Sequence, residues 1–332
     1  MHKISQYFFA DNCYFTPYYS DGFIKLFAEK GFLNKTILGG QFRLNTIEYL
    51  ASNNLMIDLD GKSNIYDLIF TCSDLIIPQN IIGKNIVLVQ EGMTDPENIL
   101  FHLVKKFRFP TWVAGTSATG ISDAYTKFCV ASQGYKNLFI RKGVNPTKIE
   151  VTGIPNFDNC KEYLNNNFSY KNYVLVATSD SRETLKYENR KKFIRNCLLI
   201  ANGRQLIFKL HPNENHERAE SEINKIAPDA LILKNGNTNH MIANCETLIT
   251  KYSSVVFIGL ALNKEVYSIF NIDQLKRLLP LQNGGRSARN IATVGKLLLK
   301  NNFNQDTKLY KDKFLEKELM INNQETSFGL LV

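Results

Sequence analysis

Short apolar runs alternate along this chain with longer stretches whose apolar residues recur every three or four positions, the pattern of buried strands interleaved with amphipathic helices. In the first half, Asp21 to Gly31 and Phe42 to Ala51 read as helices, and Lys35 to Gly39, Asp67 to Cys72, Asn85 to Gln90 and Phe128 to Ala131 as strands. A helix from Gln133 to Lys142 and a strand from Ile149 to Thr152 follow. After a polar interval the alternation restarts: strand Tyr173 to Ala177, helix Tyr187 to Ala201, strand Leu206 to Leu210, helix Glu217 to Ile226, strand Ala230 to Leu233 and helix Asn239 to Cys245. Strand Leu248 to Thr250, helix Val255 to Leu262 and strand Glu265 to Phe270 close the series. Strands without polar alternation are buried on both faces, so the order predicts an α/β fold of parallel, doubly wound sheets.

The stretch from Pro155 to Asn172 is polar and asparagine-rich and reads as an interdomain linker. It divides the chain into residues 1–160, residues 172–285 and a helical segment 286–332, for which packing back on the first domain is one arrangement; the basic run Asn283 to Arg289 reads as a flexible loop. A chain of 332 residues that is 44% hydrophobic suits two cores. No apolar run approaches the ~20 residues that cross a bilayer, and the N-terminus has no apolar signal region, so a cytoplasmic location is expected, with the inner face of the membrane within reach.

The net charge of +9 asks for an anionic partner. No helix-turn-helix, zinc-finger or aromatic RNA-binding pattern is present, so nucleic acid is not expected. Lys105 to Trp112 interleaves three cations with three aromatics, a composition that suits either a solvated loop or peripheral contact with an anionic membrane. The six cysteines are scattered without metal-ligand spacing, so neither a disulfide framework nor a metal site is expected.

The chemistry gathers at strand ends. Leu206 to Leu210 ends on His211-Pro212, and in open α/β sheets ligands bind beyond the carboxyl ends of the strands. A second edge, Leu248 to Thr250, runs into Lys251-Tyr252-Ser253-Ser254 and then an apolar helix; serines at a helix start, with a lysine beside them, can seat a phosphate. The loop Thr178 to Glu183, with Ser179 and Arg182, can donate to a diphosphate or a sugar, or be a plain solvated turn. Glu91, at the end of a buried strand before Gly92, is a candidate general base if it is shielded from water, and otherwise a cap or an ion-pair partner. Asp11, Asp74 and Asp95 stand at neighbouring strand ends.

Two resemblances sharpen this. On Tyr66 to Phe70, Val87 to Gly92, Phe128 to Gly143 and Val151 to Asn156, the first half resembles the UDP-GlcNAc 2-epimerases. That resemblance implies a GT-B architecture, two Rossmann-like domains facing a cleft, with Glu91 where the family keeps a cleft carboxylate. The second half departs from it: Asp180-Ser181-Arg182-Glu183 lacks the epimerase histidine, and Val256 to Gly259 stands where the nucleotide-gripping glutamates belong. Phe208 to Pro212 with Leu248 to Phe257 instead resembles the CDP-glycerol glycerophosphotransferases of teichoic acid synthesis and the bacterial sialyl- and Kdo-transferases. That likeness implies that His211, Ser253 and Ser254 contact the phosphate of a CMP-linked donor; Lys251 stands where the glycerophosphotransferases usually have aspartate. The expectation is a glycosyltransferase of cell-surface polysaccharide, capsule or lipopolysaccharide synthesis. It takes a nucleotide-sugar donor and a glycan or glycolipid acceptor, and needs no cofactor. Glu91 and His211 are its catalytic residues, and Ser179, Arg182, His211, Pro212, Lys251, Tyr252, Ser253 and Ser254 bind the nucleotide. A 2-epimerase and a non-catalytic nucleotide-sugar-binding module are the alternatives.

Overall fold

The computed structural model describes residues 1–17, 21–33, 40–183, 187–251 and 253–301. In chain order its strands are β1 (Tyr14–Phe15), β2 (Met56–Ile57), β3 (Ile69–Thr71), β4 (Ile86–Val89), β5 (Lys127–Val130), β6 (Ile149–Val151), β7 (Val174–Ala177), β8 (Leu206–Lys209), β9 (Leu231–Leu233), β10 (Thr247–Thr250) and β11 (Glu265–Tyr267). They form a pair β1-β2, a sheet in the order β3-β4-β5-β6 and a sheet in the order β11-β10-β7-β8-β9. The α/β class with parallel sheets is therefore the one the alternation predicts. Two compact units result, one of Met1–Val89, Asn98–Phe128 and the chain from Arg289, the other of Gln90–Glu97 and Cys129–Ala288.

The second unit is built on the five-stranded sheet. Every residue of β7, β8 and β10 is buried, which is why these segments carry no polar alternation. The helix Arg190–Ala201 lays Ile194, Cys197 and Ala201 on one face, and the helix His216–Asn224 lays Ala219 and Ile223, against Val176, Phe208 and Ile249 of the sheet. Phe208 is wholly buried there, and its truncation to alanine costs roughly 3–5 kcal/mol. Asparagines supply the helix caps: Asn189, Asn215, Asn237 and Asn271 each accept a backbone N–H of the first turn. Asn189 explains why the helix expected from Tyr187 begins at Arg190.

The stretch 155–172, expected as a linker, lies inside this unit. It folds into the short turns Pro155–Phe157 and Cys160–Leu164, which bury Phe157 and Cys160. Nor is the loop at 283–289 loose. The Asp158 carbonyl accepts the N–H groups of Asn283 and Gly284, both at 3.0 Å. The Asp158 carboxylate takes the Ser287 N–H at 3.0 Å and hydroxyl at 2.7 Å, so a carboxylate the sequence hides in a polar run fixes the loop. Gly134 marks another close approach, since a Cβ there would lie 2.2 Å from the Arg277 carbonyl oxygen.

In the first unit β3 and β4 pair in parallel. The segment Lys35 to Gly39, expected as a strand, lies outside the described residues. Asp74 is buried and saturated: Gly120 N–H reaches both carboxylate oxygens at 3.0 Å and the Ser122 hydroxyl donates at 2.7 Å, which makes it a structural anchor rather than a site. The residues before Lys105, unassigned in the sequence reading, form a helix, Ile99–Phe107. A further helix over 287–301 packs Gly295 on Leu68 and Phe70 so tightly that a Cβ would meet the Phe70 ring at 2.6 Å. No helix among the described residues is long and apolar enough to cross a membrane.

Candidate functional site

The register Thr250↔Ala177↔Lys209 aligns the carboxyl ends of β10, β7 and β8. The loops that follow, from Lys251, Thr178 and Leu210, thus leave one edge side by side. With neighbouring strands about 4.8 Å apart, the ends of β8 and β10 bracket that of β7 at roughly 10 Å.

His211 leaves β8 half-buried, and its backbone is held from the β7 loop. Its N–H donates to Thr178 Oγ1 at 2.9 Å, and that hydroxyl donates to Glu214 Oε2 at 2.6 Å. Glu214 is buried and ion-paired with the buried Arg190. The Asn213 N–H donates to His211 Nδ1 at 3.2 Å. A nitrogen that accepts carries no proton, so in the neutral ring this bond assigns the hydrogen to Nε2. Burial holds the imidazole pKa below its ordinary value; Asp180, 3.8 Å from Nδ1, offsets part of that fall and Lys209 adds to it. At neutral pH His211 is therefore an uncharged ring offering one N–H.

The other expected residues divide. Ser253 and Ser254 are half-buried at the β10 edge, but they do not open a helix: Ser253 Oγ accepts the Val255 N–H at 3.4 Å, and the helix Val256–Ala261 starts only after that turn has closed. Tyr252 lies outside the described residues. Lys251 Nζ sits 3.8 Å from Glu188 and 5.6 Å from the centre of the Phe193 ring. Arg182 makes a two-pronged contact with Glu222, 2.9 Å in each prong. Ser179 is buried, its hydroxyl 2.8 Å from that of Ser181. Pro212 is exposed and turns the chain out of the strand.

Glu91 is not shielded as expected; it is exposed. The cause is its neighbour. Gln90 occupies the buried position at the end of β4, accepting the Ala131 N–H at 2.9 Å and donating to the Gly92 carbonyl at 2.7 Å, which turns the next side chain outward. The Glu91 carbonyl is fixed by Asn156 at 2.7 Å.

The sequence reading missed the charges behind the edge. Arg190 and Glu214 are buried, as is the side chain of Glu188, which lies 2.9 Å from Arg190 Nε without lying along its N–H, so that contact is Coulombic rather than hydrogen-bonded. Glu214, three residues after His211, was visible in the polar run that follows the strand; nothing in the sequence marks Arg190 as buried. The edge thus presents a histidine N–H and two serine hydroxyls, donors that can receive an anion, over one buried arginine and two glutamate side chains whose charges sum to −1. Among the described residues no cluster of histidine, cysteine and carboxylate could hold a metal ion.

No protein-family profile matches the chain, and no curated protein matches its sequence. Among solved structures it is similar to the UDP-GlcNAc 2-epimerase of Neisseria meningitidis bound to UDP-GlcNAc, at 10% identity and a TM-score of 0.48 over 78% of this chain and 82% of that one. The corresponding enzyme of Methanocaldococcus jannaschii gives 14% identity and a TM-score of 0.45 over 76% of this chain and 89% of that one. The wall teichoic acid polymerase TagF gives 12% identity and a TM-score of 0.39 over 85% of this chain and 86% of that one. These are the two groups that the halves of the sequence resemble. At such identities and TM-scores they carry no chemistry to this chain.

Proposed function

We propose that the protein is a glycosyltransferase that takes a nucleotide-activated sugar, CMP-linked donors being the first to try, and passes the sugar to a glycan or glycolipid acceptor of the cell surface. The observation that supports this reading best is the His211 ring, locked by Asn213 so that a neutral Nε2–H is left to donate at the carboxyl edge of a parallel sheet. A donor fixed in place before the reaction stabilises charge that grows on a leaving phosphate, because no reorientation is needed as the charge develops. Ser253 and Ser254 add hydroxyls. Arg182 and Lys251 enter as cations whose present carboxylate partners an incoming phosphate must displace, while buried Ser179 and exposed Pro212 shape the loops. Glu91 takes the proton of the acceptor hydroxyl in this reading on the strength of its place at the end of β4; its exposure removes the shielding from water on which the expectation was built.

Replacing His211 by alanine tests the reading. Turnover of a donor that the native protein demonstrably consumes should fall by about two to three orders of magnitude, the scale of losing one preorganised donor. An unchanged rate in a folded variant rejects it. Product or free UDP from UDP-GlcNAc without any acceptor would favour the epimerase. Raised melting temperature with a nucleotide, but no turnover of any donor and acceptor pair, would favour a binding module.

A further inference from the structure

The helix Ile99–Phe107 is apolar on two flanks, only one of which the protein covers. Asn98 caps it, accepting the Phe101 N–H at 2.9 Å. Phe101 and Val104 point inward and pack with Ala114 and Ala118. Ile99, Leu100, Leu103 and Phe107 follow the spacing of a single helical face, within an arc of about 100°, and all four are exposed, Ile99 to 79% and Phe107 to 56%. The stripe continues past the helix into Phe109 and Trp112, exposed to 51% and 50%. The Phe107 and Phe109 rings lie 5.9 Å apart.

Cations border this stripe. Lys106 Nζ stands 5.5 Å from the Phe107 ring centre and Arg108 follows in a left-handed turn at φ 56°, whereas Lys105 lies on the opposite flank, 6.0 Å from the ring of the inward-facing Phe101. No acidic residue occurs between Ile99 and Trp112. We propose that this face docks on an anionic lipid surface, aromatic rings at headgroup level and Lys106 and Arg108 against lipid phosphates. An interfacial helix needs an apolar face flanked by lysine or arginine, with aromatics at the boundary. A second copy of the chain suits the face less well, because a symmetric pairing sets two cations against the same two. Another exposed apolar stretch of this unit, Phe23 and Phe27 on the helix Gly22–Glu29, lacks that character: its lysine, Lys25, is bound to Asp60 at 2.8 Å. The inference does not rest on the nucleotide reading, and its test measures lipid binding alone.

The whole protein is sedimented with vesicles of pure phosphatidylcholine and of phosphatidylcholine mixed with phosphatidylglycerol. Binding is expected to the mixed vesicles and not to the neutral ones, and it should weaken with added salt. The variant Lys106→Gln, Arg108→Asn, in which asparagine tolerates the left-handed turn, should bind roughly twenty-five-fold more weakly, at about fivefold for each cation near the surface. Phe107→Ser with Phe109→Ser should lose at least about tenfold, with unchanged thermal melting showing that the fold is kept. The proposal is overturned if the native protein ignores anionic vesicles. It is equally overturned if both folded variants bind as the native protein does, which would leave the general excess of positive charge as the cause. Concentration-dependent self-association that the phenylalanine variant abolishes, without vesicle binding, would assign the face to a second copy instead.

Discussion

Glu214→Ala is the substitution whose cost the structure fixes most closely. The Glu214 side chain is wholly buried and serves three partners, the Thr178 hydroxyl at 2.6 Å, the Arg190 guanidinium and, at 3.7 Å, that of Arg182. Arg190 is itself buried, and its Nη1 has no hydrogen-bond partner among the described residues. Removing the carboxylate therefore leaves a buried cation whose nearest carboxylate is Glu188, and a buried hydroxyl without its best acceptor. Breaking one side of a buried ion pair costs roughly 3–5 kcal/mol, a large share of the ~5–15 kcal/mol that holds a typical domain together. In urea unfolding followed by circular dichroism the midpoint should fall by on the order of 1 M. Glu214→Gln, which can still accept from Thr178, should lose less. Thr178→Val should cost about 1–3 kcal/mol through the unsatisfied His211 N–H. A Glu214→Ala midpoint within experimental error of the native one would refute the argument, because it would mean that Arg190 finds water or another carboxylate at no cost.

Two further outcomes follow from the same unit. In an NMR titration His211 should protonate below the ordinary histidine range, since burial depresses its pKa, and Asp180→Asn should depress it further by removing the carboxylate that offsets the burial. The sign for stability is set by the unfolded chain, which takes up the proton first: this contribution is complete above the unfolded pKa of about 6.5 and shrinks as the pH falls from there toward the folded value. Gly134→Ala should destabilise by roughly 1–3 kcal/mol, because the new methyl meets the Arg277 carbonyl rather than a side chain that can move; a melting temperature equal to the native one would show that the backbone yields freely.

How much of this was legible beforehand depended on whether the signal was local. β7, β8 and β10 were readable because a strand buried on both faces must be continuously apolar, and the helix Gln133–Lys142 because Ser132 and Gly143 mark its ends. The placing of His211 at the edge followed from the strand ending. What escaped was set by partners remote in sequence: Asp158, whose hydrogen bonds run more than a hundred residues on to Ser287, turns an apparently loose loop into a fixed one. Likewise nothing in the loop shows that Arg182 is paired, because its partner Glu222 lies forty residues away.

At the end of β4 two neighbouring side chains separate structure from chemistry. Gln90 is buried and makes two side-chain hydrogen bonds to main-chain groups, while Glu91 beside it is exposed. Gln90→Ala should cost about 1–3 kcal/mol by leaving the Ala131 N–H and the Gly92 carbonyl without their partner, and it should lower turnover only as far as it displaces the Glu91 backbone. Glu91→Gln should leave the melting temperature within error, an exposed carboxylate having little to lose. If Glu91 removes the acceptor proton, the same variant loses about two to four orders of magnitude in turnover. A Glu91→Gln enzyme with native turnover would take the base away from this strand end and leave Gln90 as the reason the turn has its shape.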